Sequence, residues 1–384
     1  MAQNSDKPTA ARSRSTISTM LRAVYQPIGF TKAYNFSMWF IFGGALVGFI
    51  LARLQFLDID GRFCPRVPAS DGSTGMPAAC YWVVHFVRYR VGMLLHLAAS
   101  LPAGLIAVFQ FVPGIRHHFI LYHRIAGYVA ITLAVVGNIG ACMLADTAMG
   151  GALPLQALTG LVTLLTAASL GLAVYNIRRA QLDGHRAWML RSWAIMGFIV
   201  TLRIIQFPMI SIIARWPAAA KYVSVSCAEL QYIYFGKQRL GEGTFTRDAL
   251  DTYEAAYPDC AAASPANSSA VHVSIKGVSN PTDAGQTNAA LMTTFVAAGF
   301  LALIIHAIVV EVYIWLTPSE AQRLRRISYE KQLARGYRIP GSAGIVAQRF
   351  GDAEAWIPPP SDHQQRQLQE EEEEAVSTSS ATGK

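Results

Sequence analysis

Residues 291–314 read LMTTFVAAGFLALIIHAIVVEVYI, a run whose only ionisable side chains besides Tyr313 are His306 and Glu311. A stretch this long and this apolar exceeds the roughly 20 residues that an α-helix needs to cross the hydrocarbon core of a bilayer. Five further runs have the same character, at about 36–54, 91–112, 125–144, 154–175 and 192–213. They are continuous rather than alternating, so they predict helices and not barrel strands. Glycine and proline inside them (Gly43, Gly44, Pro102, Gly137, Pro208) are tolerated in membrane helices, where neighbouring helices re-satisfy the backbone. The whole chain is 52% hydrophobic and 15% charged, too apolar for an ordinary soluble domain of 384 residues. The expected fold is all-α, a polytopic transmembrane bundle of six spans.

Short-loop lysine and arginine predict the orientation. Lys7, Arg12, Arg14, Arg22 and Lys32 precede the first run, and Arg116 and Arg124 lie in the 113–124 connection. Arg178, Arg179, Arg186 and Arg191 lie in 176–191, and Arg323, Arg325, Arg326 and Lys331 follow the last run. The 145–153 connection has none. With six spans all the basic segments fall on one side, which predicts cytoplasmic N and C termini.

The cysteines are an independent check. Cys64 and Cys80 fall in the first outer loop and Cys227 and Cys260 in the third, while Cys142 alone is within a span. Thiols gathered on the oxidising side suit disulfides. Connectivity cannot be read from sequence, but the local pairings Cys64–Cys80 and Cys227–Cys260 are expected. Asn267-Ser268-Ser269 is a glycosylation sequon in the same outer loop, whereas the sequon at Asn35 lies on the cytoplasmic side and should stay bare.

The expected organisation is a disordered basic N-terminus (1–35), a membrane domain (36–316) with a disulfide-tied outer loop at 214–288, and a cytoplasmic tail (317–384). Helix-compatible residues 228–257 predict a small cap in that loop. Pro318 to Arg338 reads as an exposed basic helix, and the end, with Glu370–Glu374, as a solvated low-complexity tail. No cleavable leader is evident, so the first span serves as its own anchor. The +8 charge suits anionic headgroups at the cytoplasmic face, and no nucleic-acid motif accompanies it. The expected location is the plasma membrane or a secretory-pathway membrane.

Polar residues inside the runs carry the functional argument. Arg203 lies near the middle of its run, about ten residues or ~15 Å from either end. An arginine at the centre of a span costs ~2.5–3.5 kcal/mol to insert and should face inward with a partner. Eighteen residues separate it from His185, so His185, Met189, Ser192, Met196, Ile199, Arg203 and Gln206 would form one stripe. His96 and Asn138 share the outer half of the bundle with Arg203 and Gln206. A second layer at the cytoplasmic boundary comprises His123, Arg124, His185, Arg186, Arg191, His306 and Glu311. Arg124, Arg186 and Arg191 are equally well read as snorkelling anchors. His306, alone on an apolar helix, is better read as hydrogen-bonded to a backbone carbonyl than as a ligand.

Two His-Arg pairs, His123-Arg124 and His185-Arg186, each open a span. The segment from Asp183 to Trp193, the string Tyr122-His123-Arg124-Ile125-Ala126-Gly127 and Phe109-Gln110-Phe111 resemble a family of microbial membrane proteins known as a domain of unknown function. The resemblance covers roughly residues 40–215 and includes His96 and Thr201-Leu202-Arg203. It implies a membrane fold and brings no activity with it.

Three function classes follow. One is a transmembrane electron carrier, with haem b held by His96, His123 or His185 and its propionates by Arg186, Arg191 or Arg203. Another is a small-solute transporter or ligand-binding membrane protein in which Arg203 and His96 meet an anionic or protonatable solute. A scaffold whose polar layers only fix helix packing is the third. No metalloprotease, nucleophile-elbow or phosphate-loop motif supports an enzyme.

Overall fold

The computed structural model describes residues 22–65, 77–236, 247–280, 282–354 and 356–358. Six helices are long and apolar enough to cross a bilayer: Ala33–Leu57, Val87–Gln110, Ile120–Leu144, Leu153–Arg178, Leu182–Arg215 and Ala284–Trp315. The protein is an α-helical, multi-pass membrane protein. The helices overrun the apolar stretches because the hydrogen-bonded backbone continues into polar ends that a hydropathy window discards. The second span starts at Val87, early enough to include Arg88 and Arg90, which pair with Asp146 and Asp60. The N-terminal basic residues up to Arg14 and the glutamate-rich end lie outside the described residues.

The chain forms two compact units: residues 1–165 with 193–307, and residues 166–192 with 308–384.

In the first unit the second and third spans approach through small residues. Gly92, Ala99, Ala103 and Ala107 are buried on one helix, and Ala126, Ala130, Ala134, Gly137 and Gly140 on the other. Small side chains let two membrane helices come close enough for their backbones to pack. The approach leaves no room for a methyl group: a Cβ on Gly140 would sit 2.5 Å from the His96 backbone nitrogen. Leu158, Ile195 and Leu303 join the fourth, fifth and sixth spans, and Leu202 packs with Ala298 and Ala302.

The long connection between the fifth and sixth spans is a cap with its own core. Strands β1 (Tyr222–Ser226) and β2 (His272–Lys276) pair antiparallel, so this all-α chain carries a two-stranded sheet that the helix-compatible reading of 228–257 did not anticipate. Val223 and Val225 face Ile275 and Val273 across it. Helices Cys227–Phe235, Arg247–Ala256 and Pro258–Ala262 complete the cap around Leu230, Ile233, Phe235, Tyr253, Tyr257 and Ile275. Disulfides Cys64–Cys80 and Cys227–Cys260 are both formed. Asn267 is exposed in a turn just before β2.

Glu229 is buried in the cap, accepting from Trp82 Nε1 at 3.0 Å, while its backbone nitrogen is capped by Ser226 Oγ. Burial pushes the Glu229 carboxyl above its usual range despite these donors. Folding therefore favours the protonated acid. The cap should be most stable below the ordinary carboxylate range and should lose stability as pH rises through the raised folded-state value. Glu229→Gln is expected to flatten that dependence. Melting curves of both proteins between pH 4 and 7.5 test it, and parallel curves would remove Glu229 as the cause.

The second unit is a polar knot. Asn176, Gln181, Ser328 and Gln332 are all fully buried. Gln332 Nε2 donates to Arg179 O and Gln181 Oε1, and Gln332 Oε1 accepts from the nitrogens of Gly341 and Ala343. Gly344 N donates to Gln181 Oε1, and Ile345 N to Asn176 Oδ1. Helix Pro318–Ala334 is thus not the freely exposed helix its basic residues suggested: Leu324, Ser328 and Gln332 turn one face inward. The connection it grips needs an unusual backbone, with Ala180 at φ 55. Gly184 leaves space for Asn176, since a Cβ there would lie 2.7 Å from Asn176 Oδ1.

Candidate functional site

Arg203 stands on the helix Phe198–Arg215, one turn before Gln206. Its Nη1 donates to Gln206 Oε1 at 2.8 Å, and Gln206, itself 0% exposed, passes the connection on by donating from Nε2 to Leu291 O at 3.0 Å. The guanidinium lies over the Phe295 ring, 5.1 Å from its centroid. Arg203 Nε is buried without a hydrogen-bond acceptor. Among the described residues no aspartate or glutamate forms an ion pair with it. The site therefore holds a cation steered by an amide and a ring and not neutralised by a carboxylate.

The stripe expected from His185 to Gln206 is interrupted. The fifth span is two helices, Leu182–Met196 and Phe198–Arg215, with Gly197 between them at φ −69, ψ −9. Val200 N bonds to Gly197 O, three residues back, which tightens the turn and shifts the register. The buried positions of this span are Ser192, Ile195, Leu202 and Gln206, and Arg203 stands next to Leu202 in the chain.

His96 lies half-buried against the third span, its Nδ1 donating to Gly137 O at 3.0 Å. A proton must be on Nδ1, because a carbonyl only accepts, and in the neutral ring Nε2 then offers a lone pair. That is the tautomer a ligating imidazole takes when a backbone carbonyl orients it. His123 opens the third span, fourteen residues before Gly137, or about 21 Å along a helix axis. His96 and His123 therefore cannot converge on a single iron. Gly127, one turn after His123, faces Gln110, and a Cβ there would only touch Gln110 Oε1 at an ordinary contact distance of 3.7 Å. Both amide atoms of Gln110 are buried with no hydrogen bond.

His306 has both ring nitrogens engaged, Nδ1 donating to Ala194 O at 2.6 Å and Nε2 accepting from Thr201 Oγ1 at 2.8 Å. It is the satisfied core histidine that its sequence context suggested.

The other predicted residues belong to the second unit and have protein partners there. His185 Nδ1 donates to Ala173 O at 2.9 Å. Arg186 Nη2 donates to Thr317 Oγ1 at 2.9 Å, and its guanidinium lies over Tyr313. Arg191 makes a two-pronged pair with Glu311 at 2.6 and 2.9 Å and stacks on Trp188. Asp183 accepts from Gln181 and Ser328 within the knot. The Asp-Gly-His-Arg string is thus explained locally by a turn and its anchors.

Sequence reasoning passed over Arg53. It lies four residues before the end of the first span, with its guanidinium 5.3 Å from the Phe49 centroid and 5.2 Å from that of Phe56. Its place near a span end hid it among ordinary boundary arginines.

Residues 93–233 match the family described as "Predicted membrane protein (DUF2306)", a domain of unknown function. The matched stretch runs from the second span into the cap, so it begins later and ends further on than the motifs alone implied. No curated protein and no solved structure matches the chain. The fold and this likeness together define a multi-pass integral membrane protein, similar over that stretch to a family without an assigned activity.

Proposed function

We propose that this membrane protein binds a small anionic ligand within the span-forming part of its first unit, with Arg203 as the anchor. One observation carries the reading: a half-buried guanidinium whose Nε is buried without an acceptor, with no carboxylate among the described residues paired to it. A cation taken out of water without a counter-charge is costly, and a binding partner of opposite charge would repay that desolvation. Gln206 holds Nη1 and Phe295 shields one face, which leaves Nε and Nη2 as the donors for a ligand. The electron-carrier reading has less support, since His96 and His123 are too far apart to share an iron and His306 is fully engaged. Basic short loops and outer-loop disulfides support cytoplasmic termini, with anionic headgroups against Arg124 and the N-terminal basic residues.

The test uses the full chain in zwitterionic nanodiscs, with acetate, sulfate and phosphate added separately. At least one anion is expected to raise the melting temperature of the wild type and to leave Arg203→Gln unmoved. Without anion, Arg203→Leu should be as stable as the wild type or more so, because it removes an uncompensated charge. Equal anion shifts in wild type and Arg203→Gln, or a collapse of Arg203→Leu with no anion effect on the wild type, would overturn the reading and leave Arg203 a packing element.

A further inference from the structure

A single arginine would suit a monoanion, but Arg203 does not act alone. The helix Gly44–Leu54 of the first span packs against Phe198–Arg215 of the fifth, both in the first unit. That packing brings Arg53 within electrostatic reach of Arg203. Arg53 is half-buried between Phe49 and Phe56, rings that shield it without neutralising it. The carboxylates that follow on the first span are committed elsewhere: Asp60 pairs with Arg90, and Asp58 accepts from Gly61 N. Among the described residues, neither arginine has an acidic partner.

Two like charges in a poorly screened environment repel one another, more strongly than they would in water. An anion held between the two would relieve that repulsion. Guanidinium forks match the paired oxygens of phosphate, and two forks match a group that carries two negative charges. We propose that Arg53 and Arg203 together form a two-guanidinium site for a dianionic phosphate group, with Arg203 oriented by Gln206 and Arg53 by its two phenylalanines. Phosphate monoesters and inorganic phosphate share that chemistry, from a lipid headgroup or from solution. The inference rests on the anion-binding reading above and adds its charge state and its second cation.

The experiment places the full chain in phosphatidylcholine nanodiscs and reads thermal stability and apparent affinity in four arms. Inorganic phosphate supplies the soluble dianion, and phosphatidic acid in the bilayer supplies the lipid monoester. Acetate and phosphatidylglycerol are the single-charge controls. The wild type is expected to respond to one of the phosphate arms more strongly than to either control, and the responding arm identifies the source. Arg53→Gln should weaken that response by about ten- to hundredfold, the loss of one charge-assisted contact. Arg53→Lys should keep part of it, because the charge remains while the fork is lost. Arg203→Gln should abolish it. Should Arg53→Gln bind phosphate like the wild type while Arg203→Gln does not, the two-cation site is wrong and the Arg203 anchor stands. A wild type that prefers acetate, or that answers no arm, sinks the phosphate assignment. If neither variant alters a response the wild type shows, both readings fall. Elution as a monodisperse species with wild-type helical content establishes that each variant has folded.

Discussion

Gln332→Leu is expected to detach residues 335–345 from the second unit and to cost about 3–6 kcal/mol locally. The estimate follows from what the amide leaves behind. Leucine is close in volume, so packing changes little, but Gly341 N, Ala343 N, Arg179 O and one acceptor position on Gln181 lose their partner together. Each buried polar group left without a hydrogen bond costs roughly 1–3 kcal/mol. Relaxation toward water will recover part of that sum, because the segment can peel outward. Hydrogen exchange should show the Gly341, Ala343 and Gly344 amides losing protection by two to four orders of magnitude, while the Pro318–Ala334 helix frays from its C-terminal end. Limited proteolysis near Arg335 and Arg338 should accelerate in step. Arg323→Gln is the comparison, since it removes only an ion pair to Glu320 that water already reaches. Such surface pairs are worth about 0–1 kcal/mol, so that variant should be near neutral. If Gln332→Leu is equally silent, the network does not hold the segment.

The contrast between these two residues shows where a sequence is legible and where it is not. The six spans could be read because membrane insertion imposes its cost locally, residue after residue, and any window of twenty records it. Both disulfide pairs were legible for a related reason: the apolar runs leave four of the five cysteines outside the spans, two to each of two loops. His306 was readable from its isolation. The knot was not, because Asn176, Gln181 and Gln332 are uncharged, lie some 150 residues apart, and acquire meaning only once the tail has folded back onto the turn. The β1–β2 hairpin did leave a trace, in the alternation of Val223 with Val225 and of Val273 with Ile275. That period-two signal is only five residues long on each side and was outweighed by the longer helical stretch between. The stripe from His185 to Gln206 was drawn on one ideal helix, and the tightened turn at Gly197 is what such a drawing leaves out. Arg53 was overlooked because hydropathy treats an arginine near a span end as a boundary, and only helix packing makes it a neighbour of Arg203.

Loss of the Cys227–Cys260 bridge is the other change with a large expected effect, and it should act on the cap alone. The bridge closes a segment with a sequence separation of 33, against 16 for Cys64–Cys80. Chain-entropy arguments assign about 3–4 kcal/mol to a loop of that length and slightly less to the shorter one. Cys227 begins one cap helix, and Cys260 lies in the short helix Pro258–Ala262, so the bond fixes both against the core of Leu230, Tyr253 and Tyr257. Without it, the apolar core, the β1–β2 ladder and the Trp82–Glu229 and Tyr257–Asp283 hydrogen bonds must hold the cap. A cap this small has little apolar area in reserve. The double replacement Cys227→Ser with Cys260→Ser should therefore lower the cap's melting transition by well over 10 °C and raise exchange at the β1 and β2 amides. The His96–Gly137 contact lies between two tightly packed spans and draws nothing from the bridge. Exchange along the second and third spans should accordingly stay as in the wild type. Uniform loss of protection through spans and cap alike would mean that the outer loop is required for the bundle to fold, and the view of the cap as a separately stabilised element would have to be abandoned.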